Sequence, residues 1–180
     1  MLHRRRAPCL FLRSGESQRE ELKGTAVTRT PLILIATAGS AALLLGALAF
    51  QYLGGLFPCP LCIWQRWPHL AAVLIGLIAL RIREPLLPLL GAVAALSTAA
   101  IGGFHTGVEL GWWEGLQSCQ GAGIANLSMT DLLNPSAAAP DPVRCDQVAW
   151  SFLGLSMAAW NMLASLGLTA LWLLAAKRSR

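Results

Sequence analysis

The sequence predicts an all-α membrane protein, a four-transmembrane-helix bundle with one long outer loop. Three observations carry that prediction. The 180-residue chain is 55% hydrophobic and only 13% charged, a balance that suits a bilayer better than water. Four apolar runs, at residues 31–50, 63–80, 86–104 and 150–176, are each long enough to cross a hydrocarbon core that about 20 helical residues span. Finally, twelve of the 14 Lys and Arg lie in the N-terminal tail, the turn at Arg81–Arg83 or the terminal Lys177–Arg180. The positive-inside rule then places both termini and the middle turn in the cytoplasm. Only Arg66 and Arg144 fall on the outer side. The basic charges form no single groove-sized patch, so they read as topology signals rather than a nucleic-acid surface.

The elements follow in order. Residues 1–30 mix Arg, Glu, Ser, Gln and Gly without periodicity and read as a mobile cytoplasmic tail. Arg13 and Glu16 interrupt the short apolar patch Ala7–Leu12, so no cleavable signal peptide is evident and the first span reads as an uncleaved anchor. A short outer loop, residues 51–62, is broken by Gly54, Gly55 and Pro58. The tight turn from Arg81 to Pro85 makes the second and third spans antiparallel neighbours. In the third span Gly91, Ala95, Ala99 and Gly103 recur every four residues, a small-residue stripe that lets another helix approach closely. The long outer loop, 105–149, is Pro/Ala-rich between Asn134 and Pro142 and reads as an irregular strap. Within it Ser128–Asp131 resembles a capping box for a short surface helix. Residues 177–180 form a second cytoplasmic tail. Trp112 and Trp113 read as interfacial anchors.

Four of the 5 cysteines lie on the outer side, where an oxidising compartment lets disulfides persist. Cys9, in the tail, reads as a reduced bystander. Cys59 and Cys62 form a Cys-x-x-Cys motif, which has redox, zinc-binding and inert-disulfide readings. Zinc would draw on Cys119, Cys145, His69 or His105, yet structural zinc sites normally use a second tight pair. An inert disulfide closing so small a ring stabilises little. The redox reading has geometry behind it. Pro60 suits the first helical position, where its missing N–H costs nothing. Cys59 would then be the N-cap and Cys62 would lie in the first turn, where the helix dipole favours thiolate. Arg66 follows Cys62 by four residues on the same face and always carries charge. It can stabilise a thiolate and hydrogen-bond an electron-accepting carbonyl. His69 shares that face.

The stretch Cys59-Pro60-Leu61-Cys62-Ile63-Trp64-Gln65-Arg66, the outer Cys119 and Cys145, and the block from Cys145 to Met157 together resemble the disulfide-bond formation protein B (DsbB) family. The segment from Phe104 to Gly115 resembles one branch of it. The likeness covers nearly everything after the tail, with departures at Pro60 and Gln65. It implies a quinone-dependent thiol oxidase of the bacterial inner membrane. The cofactor implied is a quinone, ubiquinone or menaquinone, bound near the outer leaflet. The partner implied is a periplasmic thioredoxin-like dithiol oxidase (DsbA-like). Mapped by motif, the resemblance implies that Cys119 is attacked by the partner's thiolate and that Cys145 is its loop partner. Electrons then pass to the Cys59–Cys62 disulfide, with Cys62 facing the quinone and Arg66 holding its head. His105 and His69 are candidates to contact the quinone or relay its protons. Redox arithmetic fits this direction. A partner poised near about −120 mV needs a stronger acceptor, which glutathione at roughly −200 mV or below cannot be. The alternative from another class is a structural adaptor whose cysteines merely staple the outer loop. That reading leaves the Cys-Pro-Leu-Cys motif and Arg66 unexplained.

Overall fold

The computed structural model describes residues 28–116 and 143–179. The tail with Cys9, the loop cysteine Cys119, the expected strap and the expected surface helix lie outside these residues. Among the described residues are four helices long and apolar enough to cross a membrane. They are α1 (Arg29–Tyr52), α2 (Pro60–Arg81), α3 (Leu86–Glu109) and α4 (Met157–Lys177). Each helix packs on two others, α1 on α2 and α4, and α3 likewise on α2 and α4. The result is the four-helix bundle that the apolar runs predict.

The bundle's interior is built from small side chains. Ala36, Ala72, Ala95 and Ala175, together with Ser40, Thr98 and Ser165, are completely buried. Large aliphatics such as Leu74, Leu77, Val93 and Leu163 face outward. Lipid is as apolar as leucine, so backbone approach and dispersion, not leucine burial, hold such helices together. Ile33 and Leu61 are buried as well, and Trp172, at 0% exposure, is the largest buried side chain among the described residues. It fits because Gly91 on α3 has no side chain, and a Cβ there would stand 2.6 Å from Trp172 Cδ2. Gly91→Ala is therefore expected to destabilise the bundle by about 1–3 kcal/mol through overpacking, read as a loss of resistance to denaturant. Adding Trp172→Phe should recover part of that loss, because the two sites share one space.

The small-residue stripe of α3 drifts from the four-residue spacing. Gly91, Ala95, Ala99 and Gly102 are buried, while at Gly103 an added Cβ would still meet Met162 Sδ of α4 at 3.2 Å. An added Cβ at Gly102 would lie 3.2 Å from both Ala158 O and Met162 N of α4. A helix turns once per 3.6 residues, so a strict four-residue repeat walks off the contact face.

Two span boundaries differ from the sequence expectation, one shortening the long outer loop and the other extending it. The helix α3 continues past Phe104 to Glu109, which puts His105 on the helix rather than in the loop. It stops where Gly111 adopts a φ of +70°. The Gly111 N–H then donates to Val108 O at 3.1 Å and the Trp112 N–H to Gly107 O at 2.9 Å, a Schellman closure. The fourth helix begins at Met157, not Trp150. Before it, β1 (Ser151–Phe152) and β2 (Leu155–Ser156) form a small antiparallel hairpin. Its turn, Leu153 and Gly154, has φ of 52° and 79°, which a continuing right-handed helix cannot contain. Ser156 then caps α4, its Oγ accepting the Ala159 N–H at 3.2 Å.

Candidate functional site

At the start of α2 the chain folds as the Cys-Pro-Leu-Cys spacing suggests. Pro60 occupies the first helical turn, and the N-cap Cys59 accepts the Cys62 N–H on its sulfur at 3.3 Å. The Cys59 thiol in turn donates to Cys62 Sγ at 2.9 Å. That bond, and then burial, hold the Cys59 thiol well above its ordinary range. In this arrangement Cys59 is the donor of the pair and the Cys62 sulfur the acceptor.

A second cysteine reaches the same point. Cys145 is fully buried, and Cys59 Sγ, Cys145 Sγ and a His105 ring nitrogen all lie within 4.8 Å of one another. Cys145 is disulfide-bonded, so its sulfur is not a metal ligand in this state. Its partner is outside the described residues. Just beside it Arg144 grips Asp146 with two hydrogen bonds, Nε to Oδ1 at 2.9 Å and Nη2 to Oδ2 at 2.5 Å. The Arg144 guanidinium holds the Asp146 carboxyl below its usual range.

His105 stands between the cysteines and the bundle interior. Its Nε2 is 3.6 Å from Cys59 Sγ and 3.8 Å from Glu109 Oε1, and the Cys145 backbone also hydrogen-bonds this ring. Its Nδ1 is 3.0 Å from Gln65 Nε2. The orientation of Gln65 decides the tautomer. Gln65 Nε2 also donates to the Leu61 carbonyl at 3.2 Å, a partner that accepts only. The Gln65 amide nitrogen therefore faces His105, Nδ1 is the acceptor, and the ring proton sits on Nε2.

The same logic runs further into the bundle. Thr98 donates to the Gln65 backbone carbonyl at 3.1 Å, so its oxygen must accept from Asn161 Nδ2 at 3.2 Å. Asn161 Nδ2 also donates to Gln65 Oε1 at 2.7 Å. This leaves Asn161 Oδ1 to accept from His69 Nε2 at 2.8 Å. His69 Nδ1 is left buried without a hydrogen-bond partner. His69 and His105 are thus two ends of one side-chain chain through Asn161 and Gln65, which spans α2, α3 and α4.

Cys59, Cys62, Arg66, His69, His105 and Glu109 all line one cavity of about 390 Å³, within the usual size range of a small-molecule site. Arg66 is braced from α1, where its Nη1 donates to Gln51 Oε1 at 2.6 Å and its Nη2 to Ala47 O at 3.3 Å. Its Nε remains buried and unpartnered. The cavity therefore offers a spare donor at Arg66 and a spare acceptor at His69. That pair suits a group whose carbonyl oxygens become hydroxyls on reduction, and a quinone head is such a group.

The structure brings Cys59, Cys62, Cys145, Arg66, His69 and His105 to this one end of the bundle. Sequence reasoning missed Asn161, Glu109 and the bridging part of Gln65. A polar side chain inside an apolar span is the signal that could have found Asn161. Glu109 was hidden by placing the end of the third span at Phe104.

The family model described as disulfide bond formation protein DsbB matches residues 29–175. Disulfide bond formation protein B of Methylococcus capsulatus is 41% identical, covering 74% of this chain and 85% of that protein. The protein of the same name from Azoarcus is 36% identical, covering 84% and 96%. One from Verminephrobacter eiseniae is 38% identical over 83% of this chain and 89% of its own length. No solved structure matches the chain. On its cysteine motif, its four-helix bundle and these similarities, the chain belongs to the DsbB family of disulfide bond formation proteins.

Proposed function

We propose that this disulfide-forming membrane oxidoreductase is a protein-dithiol:quinone oxidoreductase of the bacterial inner membrane. It re-oxidises a periplasmic thioredoxin-like dithiol oxidase of the DsbA type and delivers the electrons to ubiquinone or menaquinone. The observation that carries this is the position of Cys59 Sγ, 2.9 Å from Cys62 Sγ and within 4.8 Å of Cys145 Sγ. Thiol–disulfide exchange needs a thiolate beside a disulfide sulfur, and here a loop sulfur stands beside a helix-terminal pair.

In this reading Cys119 takes the attack of the partner's thiolate and Cys145 leaves. Cys145 then attacks Cys59 of the oxidised inner pair and frees Cys62 as thiolate. The partner's second thiolate then displaces Cys119, whose thiolate attacks Cys145 and restores the outer disulfide, leaving Cys59 and Cys62 as the reduced pair. Cys62, at the dipole-stabilised first turn and facing the cavity, gives up the electron pair as its bond to Cys59 re-forms. Arg66, through its unpartnered Nε–H, would hold an acceptor carbonyl, and His69, through its unpartnered Nδ1, would accept a hydrogen bond from a hydroxyl there. A bound quinone supplies a sink for two electrons and two protons, and the protein positions the sulfur. Orientation follows from the charges. Arg29 Nη2 donates to the carbonyls of Ile82 and Glu84 at 3.5 and 3.3 Å, gathering the basic end of α1 and the Arg81–Arg83 turn at the end opposite the cysteines. That end is the cytoplasmic one by the positive-inside rule.

Purified full-length protein should oxidise a reduced thioredoxin-like dithiol protein only when a quinone is supplied, with one quinone reduced per dithiol. Folded protein that turns over none of several ubiquinone- and menaquinone-type acceptors would contradict the reading. Arg66→Ala is expected to raise the apparent KM for quinone roughly 10- to 100-fold, the loss of one charged hydrogen bond. The KM for the dithiol protein should be nearly unchanged, and equal effects on both would point to misfolding.

A further inference from the structure

Re-forming the inner disulfide requires the proton on Cys59 to leave, and the obvious base nearby is not available. His105 Nδ1 is occupied by the Gln65 amide at 3.0 Å, and Gln65 is locked by the Leu61 carbonyl at 3.2 Å. His105 therefore turns an N–H, not a lone pair, toward Cys59 Sγ at 3.6 Å, an N–H it shares with the Cys145 backbone. Protonating Nδ1 would set two donors against each other, so the ring is a fixed donor rather than a shuttle.

Glu109 is placed for the task. Its side chain is 7% exposed and its Oε1 lies 3.8 Å from the same His105 Nε2. Its Oε2 is buried with no hydrogen-bond partner, and the carboxyl lines the cavity with both inner cysteines. The titratable and charged groups around that cavity are Cys59, Cys62, Arg66, His69, His105 and Arg144. Arg66 gives its two terminal nitrogens to Gln51 and Ala47, and Arg144 is paired with Asp146. Neither cation neutralises Glu109, whose other hydrogen-bond partner is the Ser156 side chain, so the carboxyl can take up and release a proton. A buried carboxyl without a full ion pair is costly to keep ionised, which is the circumstance in which a carboxyl serves as an acid–base group.

We propose that Glu109 is the proton-exchanging carboxyl of the outer cavity, and that the single His105 N–H, fixed by Gln65, stabilises whichever of Cys59 and Glu109 is anionic. As the Cys59 Sγ–Cys62 Sγ bond forms, the Cys59 S–H bond breaks and its proton passes to Glu109 through water in the cavity that both groups line. The two electrons leave through Cys62 to the acceptor. Resting on the proposed function, Glu109 then returns that proton to a quinone oxygen, one of the two protons that reduction consumes; the second comes from water.

The test uses full-length protein carrying Cys9→Ala, Cys119→Ala and Cys145→Ala, so that only the inner pair remains, in reduced form. Without quinone, an aromatic disulfide such as dithiodipyridine releases one chromophore on forming the mixed disulfide at Cys62 and a second when Cys59 closes the ring. Glu109→Gln should leave the first release unchanged and slow the second by about 100-fold, the low end of general-base effects, and Glu109→Asp should restore most of it. Ring closure at the unsubstituted rate in Glu109→Gln would overturn the proposal. So would equal slowing of both releases, which marks a structural role. The same closure is then followed with a short-chain ubiquinone as oxidant. If the unsubstituted inner pair closes with dithiodipyridine but never with quinone, the proposed function fails, while the chromophore rates still decide the role of Glu109.

Discussion

Cys62→Ser is expected to abolish quinone reduction, to below a thousandth of the unsubstituted rate, while leaving the bundle folded. The serine hydroxyl can accept the geometry of the first turn of α2 but not the chemistry, because neither exchange nor electron release proceeds from an alcohol. The fold should survive because Cys62 contributes only one hydrogen bond with Cys59 and a partly buried side chain at the edge of the small cluster around Leu61 and Val108. Attack at Cys119 does not involve this sulfur, so a mixed disulfide with the dithiol partner should still form. Measuring quinone absorbance alongside non-reducing electrophoresis separates the two events. A stapled adaptor would show little change in either.

Cys145→Ser is expected to produce the second large effect, with a different signature. Turnover with the protein dithiol should fall by at least about a thousandfold, because the thiolate that enters the inner pair is gone. Quinone reduction driven by a small dithiol such as dithiothreitol should continue, since a small reagent can reach Cys59–Cys62 without the loop. The comparison is sharp because Cys145 is buried against Cys59 rather than displayed to solvent. Loss of both activities would instead mean that removing the sulfur disrupts the packing of Cys59, Leu61, Val108 and Cys145.

The fold was largely legible in the sequence. Hydropathy sets four helices, basic residues gather at one end, and Pro60 with Cys59 sets the start of α2. The boundaries that failed did so for local reasons. The helix α3 outlasts its apolar run because nothing before Gly111 demands a left-handed backbone. The run from Trp150 is apolar enough for a span but contains Leu153–Gly154, whose positive φ makes a hairpin. The site was legible where the chemistry is local to one helix, as with Cys59, Cys62 and Arg66. It was not legible where partners come from three helices. The tautomer of His105 depends on Gln65, whose orientation depends on a carbonyl one turn back and on Asn161, 96 residues away. Spacing along one helix cannot report that. His69, placed by the sequence on the face of Cys62 and Arg66, is the far end of this network, 3% exposed.

The most direct test of the relay is rapid quenching during a single turnover. Oxidised full-length protein with bound quinone is mixed with a reduced thioredoxin-like dithiol protein, acid-quenched at intervals, digested and analysed for disulfide-linked peptides. The account predicts that a peptide joining Cys59 to Cys145 appears before quinol accumulates and decays as it does, because the two sulfurs already stand within 4.8 Å. Full quinol formation with no Cys59–Cys145 peptide at any time, and none in Arg66→Ala where the last step is slowed, would contradict it.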